Sequence, residues 1–306
     1  MALTARQTRA KLVSAMVAAI GRNLDTREKI EGFVDGVLPF EISGTFGGNS
    51  SCVQLESAGA GNVFLDFGSG ARPLGDHCMR ESTPAVPQTY HVFMSHLHWD
   101  HIMGFPFFMP VYMPGNRIVI HTCHTEAELA FRRQQSAPCF PVPFDALGAV
   151  IEFDLLAPGH RYDIAGYGVT ALKQLHSGDS YGWRFERDGK AMVYSTDAEH
   201  RVEDKAALDA FVAFFRNADA VVFDAMYSLA DAITVKADWG HSSNIVGVEL
   251  CQAAGAKRLC LFHHEPSSGD RHIADTLGET RRFEALTRKG EPLEVLTAYD
   301  GLEIVL

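Results

Sequence analysis

The chain has 306 residues, 46% of them hydrophobic, with 27 Lys and Arg against 38 Asp and Glu and a net charge of -11. That length can bury a large core, as one big domain or two smaller ones, while the acidic balance argues against nucleic acid as the main partner, because phosphate contacts need clustered cations. A small anionic substrate stays open, since metals can supply local positive charge. No apolar run reaches the ~18–20 residues of a membrane span. Six scattered cysteines (Cys52, Cys78, Cys123, Cys139, Cys251, Cys260) form no Cys-x-x-Cys pair, and residues 1–20 show no secretory signal, so the expectation is a cytoplasmic protein with reduced thiols.

Residues 4–20 have helical apolar spacing, with Leu12, Val13, Met16, Val17 and Ile20 on one side and Gly21 as a stop. A second helix is predicted from Asp25, where Glu28 completes a capping box. Ile30, Phe33, Val34 and Val37 form its buried face, and Pro39 ends it. Residues 1–40 are expected to pack on the surface of a main domain spanning 41–306; a dimer contact or a cap over the site are the other uses of such a preface.

Glu41 to Ser57 opens that domain with Gly47-Gly48-Asn49-Ser50-Ser51 and an alternating strand, and Asn62 to Phe67 is a second strand closing on Asp66-Phe67-Gly68-Ser69-Gly70. Both glycine-rich turns read by default as hairpins. Val92-Phe93-Met94 is a short buried strand that delivers Ser95-His96-Leu97-His98-Trp99-Asp100-His101. Alternation lets His96, His98 and Asp100 converge while the chain is still extended, with His101 following as it turns. Asp100 and His101 are adjacent and should point apart, which suggests two neighbouring metals.

Ile102 to Pro114 is rich in Phe and Met and reads as core or cleft wall. Arg117–Thr122 is a strand, and 126–135 a short helix. The prolines of 138–144 force an extended loop, a lid or the filling of a groove. Strands follow at 149–156 and 167–175, the second running into His176. A hairpin, 181–186 and 191–195, turns at Asp188-Gly189 and ends on Asp197. Helix 202–216, strand 220–225, helix 242–254, strand 258–262, helix 271–288 and terminal strands in 293–306 complete an α/β pattern of two packed sheets with helices outside.

The run from His96 to His101 matches the His-x-His-x-Asp-His signature of the metallo-β-lactamase superfamily, and the chain is similar to that family over roughly 41–306. The resemblance implies the four-layer αββα sandwich, an α/β (α+β) fold. It also implies a ligand set: His96, His98 and His176 on one metal, Asp100, His101 and His263 on the other, and Asp197 bridging. His263 ends an apolar strand and is preferred to His264. Gly-Gly-Asn-Ser-Ser with the later Asp-x-Gly-Ser-Gly resembles the phosphodiesterase-like branch, where these turns lie under the metals; Asp66 would then orient ligands rather than bind metal. The implied cofactors are two divalent ions, zinc first, with manganese or iron also suited to these donors. His98 stands where the superfamily's di-iron redox branch usually carries Glu, which favours hydrolysis.

Gly240-His241-Ser242-Ser243 resembles the Gly-His-Ser-Thr loop of ribonuclease Z and related cyclic-nucleotide phosphodiesterases, and Asp224 stands where ribonuclease Z has Glu. The expectation is that His241, oriented by Asp224, protonates the leaving oxygen, and that Asp100 joins them at the reacting centre; the plain alternative is that His241 or Ser242 only caps a helix. No basic or Gly/Pro-rich insertion between His101 and His176 corresponds to a tRNA-binding arm, so the expected substrate is a small phosphodiester such as a cyclic nucleotide, cleaved through a metal-bridging hydroxide. Trp99, Phe140, Tyr181 and Trp183 are candidates to stack on a base, or are packing. The competing functions are a lactonase or thioesterase with the same metals, and a non-catalytic nucleotide sensor.

Overall fold

The computed structural model describes residues 3–81, 86–201, 204–227 and 240–306. Two sheets face each other. The first has five strands in the order β1 (Val53–Leu55), β2 (Asn62–Leu65), β3 (Thr89–Phe93), β4 (Arg117–Thr122) and β5 (Val150–Leu155). The second runs β12 (Glu294–Thr297), β11 (Arg258–Phe262), β10 (Ala220–Asp224), β9 (Lys190–Ser195), β8 (Ser180–Arg187), β7 (Tyr167–Gln174) and β6 (Arg161–Ile164).

Period-two alternation builds the layers. Val63, Leu65 and Phe93 point inward, to meet Trp183, Phe185, Tyr194, Val222 and Cys260 between the sheets. Their neighbours Phe64 and Val92 point outward under Phe105, Phe108 and Phe131. Val221, Phe223, Leu259 and Leu261 point the other way, beneath the helices Lys205–Phe215 and Asn244–Ala254. The result is the four-layer αββα sandwich expected from the sequence.

Strand direction positions the site. β9, β10 and β11 are parallel neighbours, and β7 runs the same way because two antiparallel pairings separate it from β9. Their carboxyl ends therefore lie at one edge of the sheet, and each carries a predicted site residue at or just past its end: His176, Asp197, Asp224 at the last position of β10, and His263. β3 brings His96 to the same edge from the opposing sheet.

Several expected elements differ. The predicted capping box at Asp25 and Glu28 does not form: Thr26 alone caps the helix Arg27–Gly36, accepting from the Lys29 amide at 3.3 Å. Only Phe33 of its expected apolar face is buried, with Val34 half-buried, while Ile30 and Val37 are 45% and 51% exposed. Of the terminal strands expected in 293–306, only β12 forms. Unforeseen elements include the short helix Phe40–Ser43, the helix Ala71–Glu81, which follows the second glycine turn, and the short edge strand β6. The predicted start of helix 202–216 includes 202–203, outside the described residues; Asp204 caps the helix that follows, accepting from the Ala207 amide at 3.0 Å. No disulfide links the six cysteines, and among the described residues no helix is long and apolar enough to cross a membrane.

Candidate metal centre

After β3 the backbone bends at Ser95, is extended at His98 and then turns into the short helix Trp99–Ile102. This corrects the expected geometry. His96 and His98 do converge by alternation, but Asp100 and His101 lie on helix, where successive side chains are about 100° apart rather than 180°. They reach the same place: His101 Nε2 is 3.5 Å from Asp100 Oδ2. Four overlapping groups of donors result among the described residues, each within 4.8 Å internally: His96, His98 and His176; Asp100, His101, Asp197 and His263; and two that take in His241, with His176 and Asp197 or with Asp224 and His263. The first two hold the seven predicted donors.

Asp197 lies between them. Its Oδ2 is 3.6 Å from His96 Nε2 and 3.9 Å from His176 Nε2, while Oδ1 is 3.2 Å from His101 Nε2 and Oδ2 3.4 Å from His263 Nε2. His98 Nδ1 lies 3.1 Å from His176 Nε2. Asp66, Asp197 and His263 all have positive φ (60°, 47° and 57°), so the backbone bends sharply at each strand end. That conformation costs on the order of 1–3 kcal/mol for a residue other than glycine and concentrates at functional sites. At His263 it separates two neighbours. His263 points at Asp100 and Asp197, whereas His264 turns away to Thr297 Oγ1 at 3.0 Å.

The donor set fits divalent cations. His96 Nε2 and His101 Nε2 are buried and have no hydrogen-bond partner, an arrangement that costs free energy unless a Lewis acid takes the lone pairs. Burial opposes a proton on His101, but Asp197 and Asp66 outweigh it and hold its pKa well above the imidazole range. Burial likewise opposes charge on Asp197, and His263 and His101 reverse that, leaving its pKa well below the usual carboxylate range. Burial and the neighbouring His101 push His96 well down. A neutral His96 beside an ionised Asp197, with His101 giving up its proton to a cation, suits zinc, manganese or iron.

A hydrogen-bonded layer fixes these donors. Asp66 is fully buried and accepts from the Ser95 amide (2.7 Å), the Ser95 hydroxyl (2.7 Å), the Tyr194 hydroxyl (2.8 Å) and His101 Nδ1 (2.8 Å). His176 Nδ1 donates to the Gly240 carbonyl at 2.7 Å. Gly240 has φ +80°, and a Cβ there would meet His176 Nδ1 at 2.5 Å, so only glycine fits. The two glycine-serine turns interlock beneath the motif helix, as expected: Ser50 Oγ donates to the Asp100 carbonyl at 2.6 Å and accepts from the Ser69 amide at 2.8 Å.

His241 joins the same edge. Its ring stacks on His263 at 5.2 Å and lies 5.1 Å from that of His176. Its Nδ1 is 2.8 Å from Asp224 Oδ2, and Asp224, fully buried, also accepts from the Ala198 and Met226 amides. The expected helix start is shifted: Ser243 caps the helix Asn244–Ala254, and Ser242 instead donates to the Ala198 carbonyl and accepts from His200 Nδ1 at 2.7 Å. Neither His241 nor Ser242 is the cap. The side chains the sequence did not single out are Tyr194, Ser95, Glu199 and His200. Glu199 accepts from the Gly240 amide at 3.2 Å, so the segment after Asp197 grips the loop that carries His241. Tyr194 had no sequence signal, because its partner lies 128 positions away.

Of the aromatic candidates, Trp183 is fully buried with its indole N–H on the Met94 carbonyl at 3.1 Å, and Tyr181 is buried against His124. Both are packing. Trp99 is 60% exposed, and Phe140 touches Phe107. The proline-rich loop ends on Phe144, which packs in the outer core with Phe105 and so fills a groove there.

Comparison with known proteins agrees with this geometry. The profile of the family described as "Beta-lactamase superfamily domain" matches residues 62–264, and the chain belongs to that family. It is 25% identical over 231 residues to a ribonuclease Z of Halorubrum lacusprofundi, covering 56% of this chain and 69% of that one. A ribonuclease Z of Streptococcus pneumoniae is 24% identical over 232 residues, covering 60% and 74%. The fold is shared with the metallo-β-lactamase fold protein YhfI from Bacillus subtilis (TM-score 0.60, 19% identity, 85% of this chain and 95% of that one). It is also shared with unliganded yeast PDE1 (TM-score 0.62, 13% identity, 81% and 93%).

Proposed function

We propose that the protein is a dinuclear metal-dependent phosphodiesterase acting on a small phosphodiester such as a cyclic nucleotide. The observation that carries this reading is the His241–Asp224 pair, 2.8 Å apart and set against both donor groups. A carboxylate only accepts, so the hydrogen at that contact belongs to His241 Nδ1, and Nε2 is the nitrogen left to meet substrate. That the curated relatives are ribonucleases supports a phosphodiester over a carbon ester. The net charge of -11 favours a small diester over a polynucleotide.

His96, His98 and His176 would hold one cation and Asp100, His101 and His263 the other, with Asp197 shared; zinc is the first choice for this donor set. Such a pair supplies positive charge to the phosphoryl oxygens and ionises water near neutral pH. The chain supplies the rest. His241 delivers a proton from Nε2 to the leaving oxygen, and Asp224 stabilises the imidazolium while fixing the ring. Asp100, whose side chain is 46% exposed, is the donor carboxylate that meets solvent, and orients the attacking water.

The test is a turnover panel on the metal-loaded protein: bis-p-nitrophenyl phosphate and a 3′,5′-cyclic nucleotide beside a set of lactones and thioesters. Phosphodiester turnover that falls ~10²–10⁴-fold in His241→Ala with metal content unchanged is expected. Lactone or thioester turnover without phosphodiester turnover overturns the proposal, as does full activity in His241→Ala.

A further inference from the structure

The N-terminal helix Ala5–Ala18 is mounted the opposite way from what its sequence predicts. Leu12, Val13, Met16, Val17 and Ile20 are exposed, and the inward face is Lys11, Ala15 and Ala19, each half-buried and spaced four apart. No residue of this helix is buried, so a polar contact rather than an apolar face fixes it. Lys11 Nζ lies 2.6 Å from Asp270 Oδ2, with the two side chains 17% and 8% exposed, and donates to the carbonyls of Glu41 and Gly44. Asp270 also accepts from the Thr45 hydroxyl at 3.0 Å and the Phe46 amide at 2.8 Å. Burial opposes charge on Asp270, and Lys11, the Phe46 amide and Thr45 reverse that, leaving its pKa below the usual carboxylate range.

Two routes lead from this pair, and both end in the same donor group. The first runs through residues 45–50. Thr45 and Phe46 are fastened to Asp270, the Gly48 amide and the Asn49 side chain to Asp300, and Asn49 Oδ1 to the Ser69 hydroxyl. Ser50 follows, and its hydroxyl holds the Asp100 carbonyl. The second route runs back along the chain from Asp270, at the start of the helix Asp270–Thr287, through a turn closed by the Ser268 amide on the Glu265 carbonyl, to His263. Asp100 and His263 meet at 3.4 Å. The other donor group is reached by neither route: His96 and His98 follow β3, and His176 follows β7 and is fixed by Gly240.

His263 has the least support from its own ring. His96 Nδ1 lies 3.1 Å from the Ser95 hydroxyl, His101 Nδ1 2.8 Å from Asp66 and His176 Nδ1 2.7 Å from the Gly240 carbonyl, whereas His263 Nδ1 is buried with no hydrogen-bond partner. Its ring rests between those of His101 and His241, at 5.5 Å and 5.2 Å. Its position is therefore set by its backbone, fixed by β11 on one side and by His264 on Thr297 and the segment reaching Asp270 on the other.

We propose that Lys11 is a positioning residue for the second cation: its ion pair with Asp270 sets the spacing of Asp100 and His263, so that the N-terminal helix tunes the affinity of the Asp100–His101–His263 group and not that of the His96–His98–His176 group. This rests on the two-cation reading above. Removing Lys11 strands the Asp270 carboxylate in a buried place without its partner, and both routes start from that carboxylate.

The test is chelator competition for zinc on the full chain, which should resolve two equivalents in wild type. Lys11→Met should weaken one of them ~tenfold and leave the other unchanged, as expected for loss of a group that orients donors. Asp270→Asn, which keeps the shape and loses the charge, should do the same, and decides the matter if Lys11→Met does not fold. Lys11→Arg, which keeps the cation, should hold both equivalents as tightly as wild type. Ile118→Ala, a cavity beside the start of β3, far from its metal-bearing end, should lower Tm with both affinities intact. In His263→Ala, adding Lys11→Met should weaken the remaining cation no further. Wild type that binds fewer than two cations overturns the two-cation reading and this inference with it. Two tight equivalents in wild type, with Lys11→Met and Asp270→Asn no weaker than Ile118→Ala, overturn this inference alone, as does equal weakening of both equivalents.

Discussion

Tyr194, on the inner face of the seven-stranded sheet, donates its hydroxyl hydrogen to Asp66 of the five-stranded sheet at 2.8 Å. The contact crosses the seam between the sheets directly beneath the candidate metal centre, and the same Asp66 oxygen receives His101 Nδ1. The sheet packing and the orientation of one donor imidazole are therefore coupled through a single carboxylate.

Tyr194→Phe is expected to remove one of four donors to a buried carboxylate, at a cost of about 1.5–3 kcal/mol to stability for a hydrogen bond to a charged group. Metal affinity should fall ~10–100-fold, the usual effect of losing a partner that orients a donor. Chelator competition on purified protein reads the affinity and urea unfolding reads the stability. Unchanged metal affinity would show that His101 is held without help from the second sheet.

Removing cations from the metal-loaded protein should leave the buried Nε2 atoms of His96 and His101 without the ion they face. Binding of a ligand at a thousandfold excess over its Kd stabilises by about 4 kcal/mol, so chelation should lower Tm by several degrees and readdition should restore it. Differential scanning fluorimetry with and without chelator measures this. A Tm indifferent to chelator would mean that the donor groups do not hold a cation.

Gly240→Ala forces a Cβ to within 2.5 Å of His176 Nδ1 at a φ of +80°. It should displace both His176 and the following His241. Metal stoichiometry by plasma emission spectroscopy should drop, and phosphodiester turnover should fall at least as far as in His241→Ala. Full metal loading would locate the damage in His241 alone.

Burial holds His200 neutral, with its pKa pushed down to about 3. It packs on the rings of Phe211 and Phe223 at 4.3 Å and 5.1 Å. In the unfolded chain it takes up a proton near pH 6.5, so the unfolded state binds the extra proton and stability is lost as pH falls from about 6.5 toward 3, by about 4 kcal/mol over that window. Above pH 6.5 this contribution is complete and flat. A His200→Gln variant should show a shallower loss of urea stability between pH 6.5 and 4.5 than wild type; parallel profiles would remove His200 as a cause of acid sensitivity.

The sequence by itself determined the sheets and most of the donors. Strand alternation is a local property, so Val63, Phe64 and Leu65, or Val221, Val222 and Phe223, announced two faces and hence layers on both sides. The run from His96 to His101 was legible because four donor side chains occupy six positions, and His176, Asp197 and His263 because each ends an apolar strand. What lay beyond it was anything set by distant neighbours or by a turn of the backbone. Asp100 and His101 share one donor group only because the chain becomes helical at Trp99. His263 rather than His264 faces Asp197 because the backbone bends at φ 57°. Tyr194 reaches Asp66 only because two sheets close on each other, and the outward stripe of the first helix exists because Lys11, a single polar pin on Asp270, fixes its rotation more firmly than five apolar side chains that find no surface of their own to cover. Periodicity fixes which residues share a face; only the folded molecule decides what that face meets.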